Sequence, residues 1–245
     1  MLVQMRNDTR LEKLLQESFR EANLDPTQVQ SSLVPLYHLR AYSHCFNGHW
    51  KVAVNLMEQV VETRRKTMAE TSPNRVAAQH MLAIAYLANG QIEEAMKLLE
   101  HVVKIQEITL AETHPNRLTS QHDLARAYLE NRQIEEAVNL LEHVVNIWAI
   151  TLVETHPDRL GSQHELARAY LANRQIEEAV NLLEHVVKIM AITLAETYPD
   201  RLTSQHGLAH AYLANGQIEE AMKLLEHVVK IEEITLAETH PDRLT

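Results

Sequence analysis

The sequence predicts an all-α protein built as a solenoid of stacked helix pairs. Three observations support this fold class: a repeat of constant length, a composition rich in helix-forming residues, and helix-breaking residues at fixed places in each repeat. A single pair of short helices cannot bury its own apolar face, whereas stacked pairs share a continuous core. The expected product is a superhelix with an extended concave surface.

The repeat is visible in prolines that follow one another with a constant period of 42 (115 − 73 = 42), with near-identical sequence around them. A weaker copy precedes the strong ones, so the array is expected to span residues 31–245. Its repeats start near positions 31, 73, 115, 157 and 199, and a partial sixth repeat starts at 241. The prolines that mark the period are Pro73, Pro115, Pro157, Pro199 and Pro241.

Each repeat is predicted to contain two helices. The first begins at the proline, which suits the opening turn because that position needs no N–H donor. It ends at Asn89-Gly90, residues that accept the left-handed conformation of helix ends, and in the copies with Asn-Arg we expect the Asn to adopt it. The second helix is predicted from about Gln91 to Ala111, where Thr-His-Pro breaks it.

The composition favours helices, because the chain has 45% hydrophobic residues but only 4% aromatic residues and 5 glycines in its 245 residues. The net charge of −10 opposes nucleic-acid binding, since phosphate backbones repel an acidic surface. We find no apolar run of about 18 residues and no basic run, so no membrane partner is expected. The single cysteine and the missing signal peptide favour a cytoplasmic location.

Residues 1–30 stand outside the repeat. Residues 8–22 are predicted to form one amphipathic helix with Asp8 as its N-cap, which covers the first repeat or is the remnant of an upstream domain. At the other end only PDRLT of a sixth repeat is present. We expect the native chain to continue there, or this end to pack against another copy.

The repeat resembles the tetratricopeptide signature at Leu82, Ala83, Tyr86, Gly90 and Ala95. Its longer period and the LAETHPDRL junction look like the kinesin-light-chain subtype. The resemblance covers residues 31–245 and implies a right-handed superhelix that binds a protein or peptide ligand in its concave groove. The near-identical copies are also similar to the C-terminal arrays of fungal NLR-like (STAND) receptors, although this chain carries no nucleotide-binding motif.

The copies differ mainly along one stripe of the first helix, at four, eight, eleven and fifteen residues after the proline. In tetratricopeptide-like arrays this face lines the groove, so the resemblance implies that these residues contact the ligand. A second variable position lies near the end of the second helix and is occupied by Gln106, Trp148, Met190 and Glu232. The predicted partner-binding residues are Ala77, Met81, Ile84, Thr119, Asp123, Arg126, Glu130, Trp148, Gly161, Glu165, Arg168, Met190, Thr203, Gly207 and His210.

We interpret the stripe as diversified for recognition; the alternative is neutral drift on a solvated face. Against drift, other positions expected to be exposed, such as Glu93 and Glu100, recur in all four strong copies. Exposed pairs three residues apart, such as Asp123 and Arg126, are weak enough for a ligand to separate. The freed arginines would hold carboxylates and Trp148 would anchor an apolar side chain, so we expect an acidic segment with an apolar end.

The sequence offers no support for catalysis, a cofactor or a metal. Most of the histidines are scaffold copies that recur once per repeat, at positions such as His80 and His101, and no HExxH motif or cysteine partner accompanies them. We therefore expect a protein-interaction module, the ligand-sensing part of a fungal NLR-like signalling receptor. The alternatives are a cargo or scaffold adaptor of the kinesin-light-chain type and a domain that self-associates through its terminal repeats.

Overall fold

A computed structural model describes residues 9–239, in which the regular secondary structure is helical throughout. The 3-10 turn Ser31–Leu33 precedes α2. The α-helices are α1 (Thr9–Glu21), α2 (Val34–Phe46), α3 (Trp50–Thr67), α4 (Pro73–Ala88), α5 (Ile92–Thr109), α6 (Pro115–Glu130), α7 (Ile134–Thr151), α8 (Pro157–Ala172), α9 (Ile176–Thr193), α10 (Pro199–Ala214) and α11 (Ile218–Thr239).

The helices fall into two compact blocks, an N-terminal block of Met1–Asn131 and a C-terminal block of Arg132–Thr245. Within the N-terminal block each helix packs against the next, and α4 also contacts α6. Within the C-terminal block α7 to α11 pack in the same consecutive way, and α8 contacts α10. Consecutive helix-pair packing in each block confirms the predicted all-α solenoid class.

The core of the N-terminal block begins under α1. Phe19 of α1 meets the ring of Tyr37 edge-on at 5.0 Å between ring centres. Both residues belong to one buried cluster with Leu56, Met57 and Leu82 from the next helices. Helix α1 is therefore part of the core of the first helix pair. The predicted cap Asp8 and the partial sixth repeat from position 241 lie outside the described residues.

The core of the C-terminal block uses small side chains where helices come closest. Ala167, Ala179 and Ala211 are fully buried and pack with Leu183 and Leu208. Because Ala presents only a methyl group, facing helices approach closely while the leucines fill the space between them.

Helices α3, α5, α7 and α9 end earlier than predicted, whereas α11 continues to Thr239. Helix α5 stops at Thr109, and Leu110 is already extended at φ −128° and ψ 147°, before Thr-His-Pro is reached. Arg117 Nη1 of the following helix donates to the Leu110 carbonyl oxygen at 3.4 Å. Arg159 makes the same bond to Leu152 at 3.0 Å. This recurring arginine satisfies a carbonyl group that the helix leaves unpaired, so the linker is stable without further helical turns.

The turn between the two helices of a pair differs from the prediction in the Asn-Arg copies. Asn131 has φ −86° and Asn173 has φ −85°, whereas the arginines that follow them lie in the left-handed region. Arg132 has φ 62° and Arg174 has φ 64°, close to the φ of 78° at Gly90. The expectation that Asn takes the left-handed conformation is wrong. The turn places that conformation on the residue after the Asn, both where this residue is Gly and where it is Arg.

A candidate ligand-binding face on the first helices

Most of the predicted stripe is accessible to solvent within each block. In the N-terminal block Ala77, Thr119 and Glu130 are exposed, while Met81, Ile84 and Arg126 are half-buried. In the C-terminal block Arg168, Thr203 and His210 are exposed, while Gly161, Glu165 and Gly207 are half-buried. The stripe therefore forms a continuous candidate face on the first helices of each block, with one buried exception in Asp123.

Asp123 is held by two bases of the N-terminal block. Its side chain on α6 is 8% exposed, and its Oδ2 lies 2.9 Å from Nε2 of His80 on α4. Arg126 Nη1 donates to Oδ1 at 3.3 Å. Burial alone would raise the pKa of Asp123, but the His80 hydrogen bond and the charges of His80, His122 and Arg126 lower it overall. Asp123 is therefore a carboxylate that ties two first helices together.

This geometry corrects the expectation that Asp123 and Arg126 form an exposed pair, because the carboxylate is buried. A ligand that displaces Arg126 would leave Asp123 with its hydrogen bond to His80. The sequence could not reveal this bond, because its donor His80 lies 43 residues away in the preceding repeat. Asp123 is a structural member of the face, and Arg126 remains accessible beside it.

The equivalent pair in the next repeat is similarly accessible. Arg168 Nη1 donates to Glu165 Oε2 at 2.7 Å, and the arginine side chain is 43% accessible. His210 on the neighbouring first helix is exposed, with its ring centre 6.2 Å from that of His206. Arg168 and His210 thus give the C-terminal block a polar face with an accessible guanidinium group.

Gly207, a predicted stripe residue, also has a packing role. A Cβ atom placed there would lie 3.0 Å from Cε1 of His164 on α8 and 3.5 Å from Leu183. A larger residue would have to displace the imidazole ring. The glycine therefore lets α10 approach α8 closely, a reason for its presence that the sequence pattern did not show.

Trp148 and Met190 do not belong to the accessible face. Trp148 is 2% exposed and Met190 is 5% exposed. Met190 packs against Leu160, Val186 and Ile189. This position follows Val186 by four residues, so it continues the interior stripe of the second helix. The prediction that these two residues contact a ligand is wrong, and Trp148 cannot serve as an apolar anchor.

Some polar residues that recur in all four strong copies have structural partners. Glu100 accepts a hydrogen bond from Tyr128 at 3.1 Å, and Nε2 of His101 lies 3.3 Å from Glu70. Their recurrence therefore reflects contacts of α5 with the following helix and with the preceding linker. Glu93, in contrast, is exposed and lies 3.8 Å from Lys97 on its own helix. Among these residues, only exposed ones such as Glu93, whose contact lies on its own helix, still argue against neutral drift as the cause of the variation on the first helices.

A pocket of about 440 Å³ opens within the N-terminal block, between α4, the end of α5 and the start of α6. The predicted residues Ala77, Met81 and Thr119 line it, together with His80 and Gln106. Its volume lies in the range of sites that hold small molecules or side chains. The variable positions of the sequence thus include four residues that line this pocket.

The described residues contain no group of three or more His, Cys, Asp or Glu side chains placed to hold a metal ion. Within the same part of the chain, none of the helices combines the length and apolar character needed to cross a lipid bilayer.

Comparison with protein families identifies the repeat. A tetratricopeptide-repeat model matches residues 33–108, 86–150 and 151–233. No curated protein matches the sequence.

Several solved structures resemble the chain. A candidate kinesin light chain of nearly identical TPR-like repeats from Podospora anserina is 54% identical, with a TM-score of 0.70 over 86% of this chain and 99% of that one. BtubC (BKLC) from P. vanneervenii is 18% identical, with a TM-score of 0.69 over 95% and 91%. MamA from Desulfovibrio magneticus RS-1 is 16% identical, with a TM-score of 0.53 over 84% and 97%. The last two show the fold alone.

Proposed function

Because this chain belongs to the tetratricopeptide-repeat family, we propose that it binds a protein or peptide segment along the variable face of its first helices. The observation that carries the proposal is that exposed side chains change between copies whose core is nearly identical. Arg168 and His210 occupy the same position of two repeats, as do Gly161 and Thr203. Proteins of this family generally bind other proteins, so accessible residues that differ between the repeats are candidates for contact with the ligand.

The charges of the C-terminal block suggest the chemistry of the ligand. Arg168 presents a planar guanidinium group on an accessible part of the face, and a ligand carboxylate can replace Glu165 as its partner. His210 adds a second donor on the neighbouring first helix. We therefore favour an acidic segment in the C-terminal block, without the tryptophan anchor that the sequence suggested.

The test begins with a peptide selected from a random display library against the full chain. Its affinity is measured by fluorescence polarisation for the wild type and for Arg168→Glu combined with His210→Glu. A like charge opposite a ligand carboxylate weakens binding, so we expect a loss of about tenfold or more.

The matched control is Lys188→Glu combined with Lys230→Glu, which adds negative charge at two exposed basic residues on the second helices of the same block. We expect this control to change the affinity less than about twofold. If both variants lose the same affinity for the peptide, and circular dichroism shows that both are folded, the peptide does not bind at the first helices and the proposal is refuted.

We extend the proposal to the role of ligand sensor in a fungal NLR-like receptor. Near-identity of the copies supports rapid change of specificity, and the Podospora anserina structure shows such an array in a fungus. The description of that protein as a candidate kinesin light chain favours a second role, a cargo or scaffold adaptor. The full gene separates the two, since a nucleotide-binding loop upstream supports the receptor and a long heptad coiled coil supports the adaptor.

Self-association is a third possibility that one observation favours. Helix α11 exposes Ile218, Met222 and Val229, which are 58%, 55% and 48% accessible. An exposed apolar row on a terminal helix pair is a surface that another copy can cover.

A further inference from the structure

The pocket of the N-terminal block lies on the candidate face and has apolar walls. Val76 and Met81 of α4 and Leu110 after α5 contribute to these walls. The stripe residues Ala77 and Thr119 also line the pocket, and both are exposed to solvent. The pocket therefore opens on the same surface that we propose binds the ligand.

The residues around the pocket disfavour a charged occupant. No Asp, Glu, Lys or Arg is among the described residues that line it, so a buried ammonium or carboxylate group would have no counter-ion there. Two histidines line the pocket, and each has a nitrogen already engaged. His80 Nε2 lies 2.9 Å from Asp123 Oδ2, and His114 Nδ1 accepts from the Asn116 backbone N–H at 3.1 Å. The complementary occupant is uncharged.

Met81 distinguishes this repeat from the other strong copies. The equivalent positions carry Asp123, Glu165 and Gly207, so Met81 is the one large apolar side chain at this position of the four strong copies. Ile84, three residues further along α4, likewise occupies a position where the other strong copies carry two arginines and a histidine. The variable stripe is therefore apolar in the repeat that holds the pocket and more polar in the repeats that follow.

We propose that this pocket is a subsite for an apolar side chain of the bound segment, such as leucine. Burial of an apolar group against Val76, Met81 and Leu110 is favourable, whereas a polar group would give up hydrogen bonds to water that these walls cannot replace. The flexible thioether of Met81 can adapt to the shape of the occupant. The subsite takes over the apolar contact that the sequence assigned to the buried Trp148. This proposal deepens the proposed function and rests on it.

Disulfide trapping tests the pocket without an identified partner. Thr119→Cys places a thiol at an exposed position that lines the pocket. The native Cys45 does not compete, because it is buried and burial raises its pKa to about 11.

The full chain is equilibrated with disulfides of cysteamine that is acylated with isovaleric, succinamic or succinic acid. These compounds carry the side chains of leucine, glutamine and glutamate on the same thiol. Mass spectrometry in the presence of 2-mercaptoethanol gives the relative stability of each mixed disulfide. We expect the leucine-like adduct of Thr119→Cys to be about tenfold more stable than the other two.

Thr203→Cys is the matched control, because Thr203 is exposed and occupies the same position of a repeat in the C-terminal block. In that repeat Glu165 replaces the apolar Met81, so we expect the leucine-like and glutamine-like adducts to differ by less than about twofold. Met81→Glu, combined with Thr119→Cys, should reduce the preference in the pocket to that level.

Ala77→Leu is a second pocket variant, at an exposed helical position where leucine is well tolerated. It should also remove the preference at Thr119→Cys, because a leucine of the chain itself then occupies the pocket. Circular dichroism checks that each variant is folded. Equal stability of the leucine-like and glutamine-like adducts at Thr119→Cys would overturn the subsite. The same preference at Thr203→Cys, or an unchanged preference in both pocket variants, would overturn it as well.

The peptide selected against the full chain connects the pocket to the bound segment. Ala77→Leu alone should weaken its binding about tenfold, and an unchanged affinity would show that the segment does not use the pocket and would overturn the subsite.

The variant Arg168→Glu with His210→Glu separates this result from the proposed function, because its changes lie in the other block. We expect it to lose affinity for the peptide and to keep the trapping preference at Thr119→Cys. Absence of that preference, while the peptide still distinguishes this variant from the wild type, would refute the subsite and leave the binding face intact.

Discussion

At the residue scale, two arginines adopt a backbone conformation that glycine adopts elsewhere in the same chain. Arg132 and Arg174 have φ of 62° and 64°, while Gly90 and Gly216 have 78° and 80° at the equivalent turn. A side chain in the left-handed region costs roughly 1–2 kcal/mol, because its Cβ approaches the neighbouring carbonyl oxygen. The protein tolerates this strain because the packed helices on both sides determine the turn.

Replacing Arg174 with glycine should therefore stabilise the protein. Relief of the strain is offset in part by the greater freedom of glycine in the unfolded chain, which leaves a gain of about 0.5–1 kcal/mol. The shift of the urea unfolding midpoint measures it. Arg174→Ala keeps the Cβ and should give no gain, while Gly216→Arg should lose about as much as Arg174→Gly gains. A gain in Arg174→Ala equal to that in Arg174→Gly would show that the arginine side chain, not its backbone, is the source.

At the element scale, a tyrosine of each first helix from α4 to α10 connects it to the second helix of the preceding repeat. Tyr170 OH donates to Glu142 Oε1 at 2.8 Å, a charge-assisted bond between α8 and α7. Burial, the hydrogen bond to Glu142 and the charges of Glu142 and Glu178 raise the pKa of Tyr170 to about 12. The same bond recurs in pairs 28 residues apart: Tyr86 with Glu58, Tyr128 with Glu100, and Tyr212 with Glu184.

Tyr170→Phe should lower the free energy of unfolding by about 1 kcal/mol near neutral pH, since it removes one hydrogen bond to a charged group at a partly exposed site. Because the folded pKa lies above the unfolded value of about 10, the contribution of the tyrosine is complete below pH 10 and is lost towards pH 12.

Urea titrations of both proteins at several pH values measure this effect. The stability difference between wild type and Tyr170→Phe should narrow steadily between pH 10 and about pH 12. Since the other tyrosines are common to both proteins, they cancel in the comparison. A difference that stays constant over this range would show that the phenol does not ionise in contact with Glu142.

At the scale of the whole molecule, repetition gives the chain many equivalent contacts and one unusual surface. The tyrosine–glutamate bonds and the arginine–carbonyl bonds recur in both blocks, so each block is stabilised by the same interactions between neighbouring helices. Helix α11 differs, because its row of Ile218, Met222 and Val229 is about half exposed. The net charge of −10 opposes indiscriminate association, so pairing of copies would need this specific apolar contact.

If copies associate through α11, Met222→Lys combined with Val229→Lys should abolish the concentration dependence of the molecular mass, because charges in an apolar contact remain unpaired. Light scattering over a range of concentrations measures this. Ile192→Lys is the control, since Ile192 is 80% exposed in the same block but lies on a different helix. Association through α11 would be contradicted if the wild type has the mass of a monomer at all concentrations. It would also be contradicted if Ile192→Lys dissociates the protein as much as the α11 variant does.

The candidate face could be predicted only in part from the sequence. Exposed members such as Thr203 and His210 follow from helical spacing, because that spacing sets which side chains share a face. Asp123 satisfies the same spacing but is buried, since His80 from another repeat reaches it. Spacing within one helix carries no information about the neighbour that covers it, so the face had to be corrected residue by residue.

The sequence by itself determined the helix pairs, their period and the all-α class, because proline placement, helix propensity and apolar spacing act locally and recur in every repeat. Tertiary structure alone decided that Arg132 and Arg174 take the left-handed turn, that Trp148 is interior, and that Gln106 borders a pocket. These outcomes depend on contacts between helices that are distant in the chain. The identity of a side chain does not specify those contacts until the helices are packed.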